Sequence, residues 1–249
     1  MNEKSILLET AQTIGLDDAS LAAALEPVQE YGVRLRQTLL EAHAAKERYG
    51  ALGIDMAIWR DTMEDIAVWC INCMVKNGVP GLENTGWLKN HIALELFRLG
   101  RLQYQLTNLE LPEWVTEPGE LMPGLPAVYI HIPQGAPLAG DQVDRSLALA
   151  GRFLEEHFPC FADAPMVCES WLLYPGNSAF MREDANIRRF ASRFRIVGST
   201  DDPAQAIERI WMWPNRPPEE FPEDTSLQRS AKRHLLSGGR FGEGFGLLR

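Results

Sequence analysis

The chain has 249 residues, 45% hydrophobic and 23% charged, and its 34 acidic residues against 24 basic ones give a formal net charge of -10. That balance argues against a nucleic-acid factor, which needs clustered Lys and Arg to neutralise phosphate. No apolar run approaches the ~20 residues of a spanning helix, and the start, Met1-Asn2-Glu3-Lys4, leads into no apolar signal core, so a cytoplasmic protein with no membrane partner and reduced thiols is expected.

The first part reads as helical. Asp17 and Asp18 can cap a short helix through Ala24, and Pro27 suits the first turn of a longer one to about Tyr49, with Val28, Val33, Leu35, Leu39, Leu40 and Ala44 as its apolar stripe. Thr62 and Asp65 form a capping-box-like pair that predicts a helix start, with Gly78 as its stop. A further helix from near Thr85 carries Trp87, Leu88, Ile92, Leu96 and Phe97, and Gly100 ends or bends it.

After Gly100 the period changes. Leu102, Tyr104 and Leu106 alternate with Gln103, Gln105 and Thr107, the pattern of a half-buried strand. A Pro/Gly-rich connection covers Pro112 to Pro126. Strands are expected at 127–132, 166–174, 194–197 and 207–213, and helices at 141–157 and 185–194. Thr225 with Gln228 is a capping box opening a helix to Leu236, and the Gly-rich tail from Phe241 to Leu248 fits a last strand. Helices followed by mixed elements imply an α+β protein, with a helical region over 1–100 and an α+β domain over 101–249.

Cys70 and Cys73 make a C-x-x-C pair, but Cys160 and Cys168 lie too far apart to complete a zinc site. Buried structural cysteines and no metal are expected. The segment from Tyr129 to Asp141 carries more chemistry: a strand ends, a loop with Gly135 and Gly140 turns, and a capped helix begins. The first N–H groups of a helix lack intrahelical partners and lie at its positive end, so such a loop can hold a phosphate. It can equally be a plain strand-to-helix turn, and a carboxylate at Asp141 opposes an anion there.

The stretches Trp59-Arg-Asp-Thr-Met-Glu-Asp-Ile66, Gly86-Trp-Leu-Lys-Asn-His91, Leu96-Phe-Arg-Leu-Gly-Arg-Leu-Gln103, His131-Ile-Pro133, Cys168-Glu-Ser-Trp-Leu-Leu173, Asn186-Ile187 and Asp224-Thr-Ser-Leu-Gln-Arg229 resemble those of a bacterial acyltransferase-domain family with a helical N-terminal region and a GNAT-like (N-acetyltransferase-like) C-terminal domain. The resemblance covers most of the chain from about Ile54 onward. It implies a helical part packed on a mixed-sheet GNAT-like domain, and transfer of an acyl group, acetyl by expectation, from acyl-CoA to a small amine or hydroxyl. In that reading acyl-CoA lies between two splayed parallel strands, on backbone groups near Ile132 and on the loop Gln134, Gly135, Ala136, Leu138, Ala139 and Gly140, with Asn186 as a further contact. Pro137 stands where the family loop has a central Gly, and removes one N–H.

The resemblance also implies roles. Glu169 is a candidate general base, His131 an alternative base, and Tyr174 a candidate donor of a proton to the leaving thiolate. Each has a plainer reading: Glu169 paired with an arginine such as Arg193, His131 and Tyr174 as packing residues, Asn186 as a helix cap, and Trp171, Trp211 and Trp213 as core. The alternative to an enzyme is a non-catalytic GNAT-like binding or interaction module.

Overall fold

The computed structural model describes residues 2–212 and 216–249, so Trp213, read from the sequence as core, lies outside the described residues. In chain order the elements are α1 (Glu3–Thr13), α2 (Asp18–Leu25), α3 (Glu30–Ala51), α4 (Met56–Asn77), α5 (Gly86–Ile92), β1 (Leu96–Leu99), β2 (Leu102–Asn108), β3 (Pro126–His131), α6 (Gly140–His157), β4 (Met166–Ser170), α7 (Asn186–Ala191), β5 (Phe194–Thr200), α8 (Ala204–Trp211), α9 (Ser226–Leu236) and β6 (Glu243–Leu248). The strands form a mixed sheet in the order β1-β2-β3-β4-β6-β5, and the fold is α+β. The chain divides into two compact units, one of Met1–Gln105, Ile132–Gly135 and Ser146–Pro159, the other of Leu106–His131, Ala136–Arg145 and Cys160–Arg249.

In the first unit, helices bury Leu35, Leu39, Tyr49, Trp59, Met63 and Ile66 completely or nearly so. Removing such side chains from water contributes ~1.5–3 kcal/mol each. Phe97 of β1 packs its ring 4.9 Å from Phe153 and 5.2 Å from Phe158. Gly100, at φ 73°, makes the left-handed turn between β1 and β2 that a β-carbon would disfavour. Ser146 locks that turn: its Oγ donates to the Leu99 carbonyl and accepts from the Leu102 N–H at 3.1 Å.

Several expectations are corrected here. Thr62 and Asp65 do not start a helix. Asp55 caps α4 by accepting from the Ala57 N–H, and Thr62 and Asp65 lie buried inside it. Their side chains serve tertiary contacts instead: Thr62 Oγ1 accepts from the Arg98 N–H at 3.0 Å, and Asp65 Oδ2 accepts from Trp87 Nε1 at 2.8 Å and Trp69 Nε1 at 3.2 Å, with His91 Nε2 also at 3.2 Å. The helix expected from Thr85 to Phe97 stops at Ile92, and Leu94 adopts φ 63° before strand β1. α1 was not foreseen; Asn2 caps it by accepting from the Ser5 N–H.

In the second unit, β3 and β4 are parallel, while β6 is antiparallel to both β4 and β5. The strand expected over 207–213 is helix α8, whose buried Ala206, Ile210 and Trp211 recur at helical spacing. The expected strand 166–174 ends at Ser170, whose Oγ accepts from the Leu172 N–H and turns the chain into a 3-10 segment, Trp171–Leu173. The Thr225–Gln228 capping box opens α9 as read from the sequence. Cys70, Cys73 and Cys168 are buried and free, but Cys160, expected to be buried, is exposed.

Candidate active site

The chemistry-bearing region of the second unit starts where two parallel strands part. Their ladder registers at Val128↔Met166 and Tyr129↔Val167, and the Val128 N–H donates to the Pro165 carbonyl at 3.0 Å. β3 then continues through Ile130 and His131, and β4 through Cys168, Glu169 and Ser170, with no further register between them among the described residues. Beyond the ladder β4 keeps its other partner, β6, through Cys168↔Gly246, Glu169↔Phe245 and Ser170↔Gly244. The split therefore lies on one side of β4 only.

Alternation sorts the side chains into faces. One face carries an apolar floor of Ala127, Val167 and Phe245, covered by Leu109, just after β2, and by Val115 and Leu121 from the Pro/Gly-rich connection. Tyr129 packs at its edge, 6.2 Å edge-to-face from Phe245, and its hydroxyl donates to the Glu110 carbonyl at 2.5 Å while accepting from the Glu110 N–H. On the same face, two residues further along each strand, stand His131 and Glu169. The His131 ring stacks on Tyr129 with centroids 6.4 Å apart. Partial burial pushes the Glu169 carboxyl above the ordinary glutamate range, although the side chain still reaches solvent. It is not paired with Arg193, which donates instead to Asp144 Oδ1 at 2.5 Å and to the Gly140 carbonyl at 3.3 Å.

Sequence reasoning missed a second carboxylate. Glu243 begins β6 two residues before Phe245, so it shares the face of Glu169. Burial, then the negative charges of Glu169 and Asp202, push it up to about 6. Gln205 of α8 holds it, Nε2 donating to Glu243 Oε2 at 3.3 Å while Oε1 accepts from the Trp171 N–H at 2.8 Å and from Ser170 Oγ at 3.5 Å. The missing signal was pairing register: a Glu in a Gly-rich tail acquires meaning only once β6 is known to lie beside β4.

The loop after β3 is fixed at its start within the first unit. Arg101 Nη1 donates to the Pro133 carbonyl at 3.0 Å, and Asn72 Nδ2 to Gln134 Oε1 at 2.8 Å. Gly135 follows with φ 108°, a conformation open to glycine. Ala136 and Pro137 are exposed, Leu138 is buried, and Ala139 and Gly140 are half-buried. The N–H groups of Gln142 and Val143 both turn back to the Ala139 carbonyl, so those of Ala139, Gly140 and Asp141 precede the first intrahelical bond. The expected cap, Asp141, is instead in the first turn of α6, paired with Arg145 at 2.7 Å. Arg193 lies beside Gly140 with its guanidinium paired to Asp144, and Asp141 adds a second carboxylate to this helix start.

Two expected residues sit elsewhere. Tyr174 follows the 3-10 segment, off the strand, and its hydroxyl donates to Asp201 Oδ1 at 2.6 Å, which pushes its pKa above the ordinary tyrosine value. Asn186 is the exposed first residue of α7, with Ala185 at the cap position. Ile132 directly follows β3, half-buried. Trp171 and Trp211 are buried. The basic cluster on α9 ties down a neighbouring segment, Arg229 donating to the Glu223 carbonyl and Lys232 to that of Phe221. No group of three or more His, Cys, Asp or Glu placed for a metal occurs among the described residues.

Residues 96–248 match the family described as GNAT-like C-terminal domain, and residues 10–94 the N-acyltransferase N-terminal domain. The chain belongs to this family. Its fold is similar to that of an acyltransferase solved in complex with decanoyl-CoA and teicoplanin, with TM-score 0.80 and 20% identity over 97% of this chain and 87% of that one. It is also similar to an acyltransferase in complex with decanoyl-CoA, with TM-score 0.77 and 23% identity over 99% and 75% of the respective chains. No curated protein gives a significant match. The N-terminal match covers the helical part of this chain and the C-terminal match its mixed sheet.

Proposed function

We propose that the chain is an acyl-CoA-dependent acyltransferase that moves an acyl group from the CoA thioester to an amine or hydroxyl acceptor. The observation that carries this reading is the parting of parallel strands β3 and β4 after Tyr129↔Val167, with Glu169 on the freed stretch of β4. Decanoyl-CoA bound by structural neighbours supports an acyl-CoA donor, of acetyl or longer chain. The transfer domain spans residues 101–249 after a helical region, 1–100, and the family boundary between 94 and 96 supports that division. The compartment is the cytoplasm, which suits the free thiols.

The roles follow from chemistry. Backbone groups of Ile132 and the freed end of β3 line the pantetheine arm, and the loop Gln134, Gly135, Ala136, Leu138, Ala139 and Gly140 faces the pyrophosphate, with Asn186 as an outer contact. Glu169 takes the proton of the acceptor as nitrogen or oxygen attacks the thioester carbonyl. The C–S bond breaks, and the CoA thiolate is protonated by Tyr174 or by the protonated base. His131, on the same face, is the alternative base.

Calorimetric titration with acetyl-, octanoyl- and decanoyl-CoA tests the donor and sets its chain length. Gly135→Glu should abolish binding. Gly135→Ala controls for strain at φ 108°. With binding established, Glu169→Gln should lower turnover by about tenfold or more in a folded protein; undiminished turnover rejects the base assignment. Pro137, which offers no N–H, supports a second reading as a non-catalytic interaction module. Failure of all three thioesters to bind a folded sample would favour that reading.

A further inference from the structure

We propose that Glu243 is a second proton-holding carboxylate of the transfer site, acting with Glu169 as one acid–base pair and kept in place by Gln205. This rests on the acyltransferase reading.

Three observations carry it. The antiparallel register Glu169↔Phe245 and Ser170↔Gly244 puts Glu243 on the face of Glu169, one diagonal step across the strand pair. Cross-strand diagonals on one face lie within reach of long side chains. Gln205 is a built support, because its carboxamide joins the end of β4, at the Trp171 N–H and Ser170 Oγ, to the Glu243 carboxylate. The charged groups acting on Glu243 are Glu169 from β4 and Asp202 just before α8, both negative. Across the other ladder it faces Thr200, which is uncharged. Tyr129, on β3, carries its phenol above the ordinary range, through burial first and then the Glu169 charge, against a lowering by the Glu110 backbone hydrogen bond.

Two like charges in partial burial bind a first proton tightly and a second one weakly. Doubly ionised, the pair is a stronger base than Glu169 alone, with Glu243 pushed up to about 6 by burial and by the Glu169 and Asp202 charges. A base poised just below neutrality suits proton removal at physiological pH. In the step, the acceptor N–H or O–H proton passes to the pair as the new acyl bond forms. The C–S bond breaks with its electrons on sulfur, and the pair returns the proton to that thiolate. Charge and atoms balance without a further reactant.

The test uses water as acceptor and reads thiol release from octanoyl-CoA between about pH 5 and 9, alongside carbon-13 titration of the glutamate carboxyls. In the wild type, kcat should rise with pH through the titration of the pair, near 6. Glu243→Gln should shift that limb to lower pH, lower the plateau about three- to tenfold and leave KM unchanged, and Glu243→Asp should restore part of the loss. Gln205→Ala, which removes the Nε2–H donor to the Glu243 carboxylate, should move the limb to higher pH, as loss of a positioning residue would. In the carbon-13 experiment, Glu169→Gln should lower the midpoint of Glu243. An unmoved midpoint overturns the pair even if no thioester is turned over, and so does an unmoved pH limb in Glu243→Gln. A moved midpoint in a protein that binds no acyl-CoA would uphold the coupled pair and reject the acyltransferase reading beneath it.

Discussion

At the scale of single residues, the burial of Asp65 has a measurable cost and return. Burial alone would raise its carboxyl, but the hydrogen bond and charge of His91, with the indole N–H groups of Trp87 and Trp69, outweigh it and hold the group below the ordinary aspartate value of 3.8. Because the folded carboxyl is depressed, the unfolded chain binds the proton more readily. The stabilisation is complete above pH 3.8 and is lost as pH falls through the lower folded value. Asp65→Ala leaves the buried His91 and the half-buried Trp69 and Trp87 without this partner and should cost about 3 kcal/mol at neutral pH, and chemical denaturation should show the gap from wild type narrowing on acidification. Glu243 has the opposite sign. Its folded value stands above the ordinary 4.5, at about 6, so ionisation opposes folding progressively from pH 4.5 to 6 and fully above. Glu243→Gln should therefore raise Tm at pH 7 and leave it unchanged near pH 4.5; equal Tm at both would mean the carboxylate carries no penalty. Sites that trade stability for proton affinity in this way are common among catalytic groups.

At the scale of elements, β6 reads as a glycine-rich tail because each glycine answers a close approach. A β-carbon at Gly244 would meet the Leu173 carbonyl oxygen at 2.6 Å, and one at Gly246 the Phe194 β-carbon at 2.9 Å. Gly244→Ala should cost about 1–3 kcal/mol by overpacking. Gly151, inside α6, meets nothing within 4 Å, so Gly151→Ala should stabilise by ~0.5–1 kcal/mol. Thermal melts of the two variants moving in the same direction would contradict this contrast. The same elements show what local sequence could tell. The α9 capping box was legible because both of its bonds are local. α8 was misread because Ile207-Glu-Arg-Ile-Trp211 is too short a segment to separate the two periods, and only its packing decides. Thr62 and Asp65 imitated a cap because residues that cap helices also satisfy buried donors, as both do here.

At the scale of the whole molecule, the helical first part and mixed second part were readable from the change in hydrophobic period near Gly100, and the family match covers both. The loop after β3 was readable too, since a strand, glycines and a helix start follow one another in sequence. The carboxylate partner of Glu169 was not, because β6 is separated from β4 by more than seventy residues of chain and joins it only through the sheet. The overall charge of -10 repels an anionic donor at long range. Moderate salt should then speed acyl-CoA association by screening that field, before any weakening of contacts at the α6 start. Stopped-flow rates that fall steadily with salt would point instead to a locally positive entrance.

β6 lies between β4 and β5 although it is made after both. A chain emerging from the ribosome therefore carries β4 and β5 for some forty residues of synthesis without the strand that bridges them. The sheet of the second unit is therefore closed by the last strand made, which also delivers Glu243 to the site.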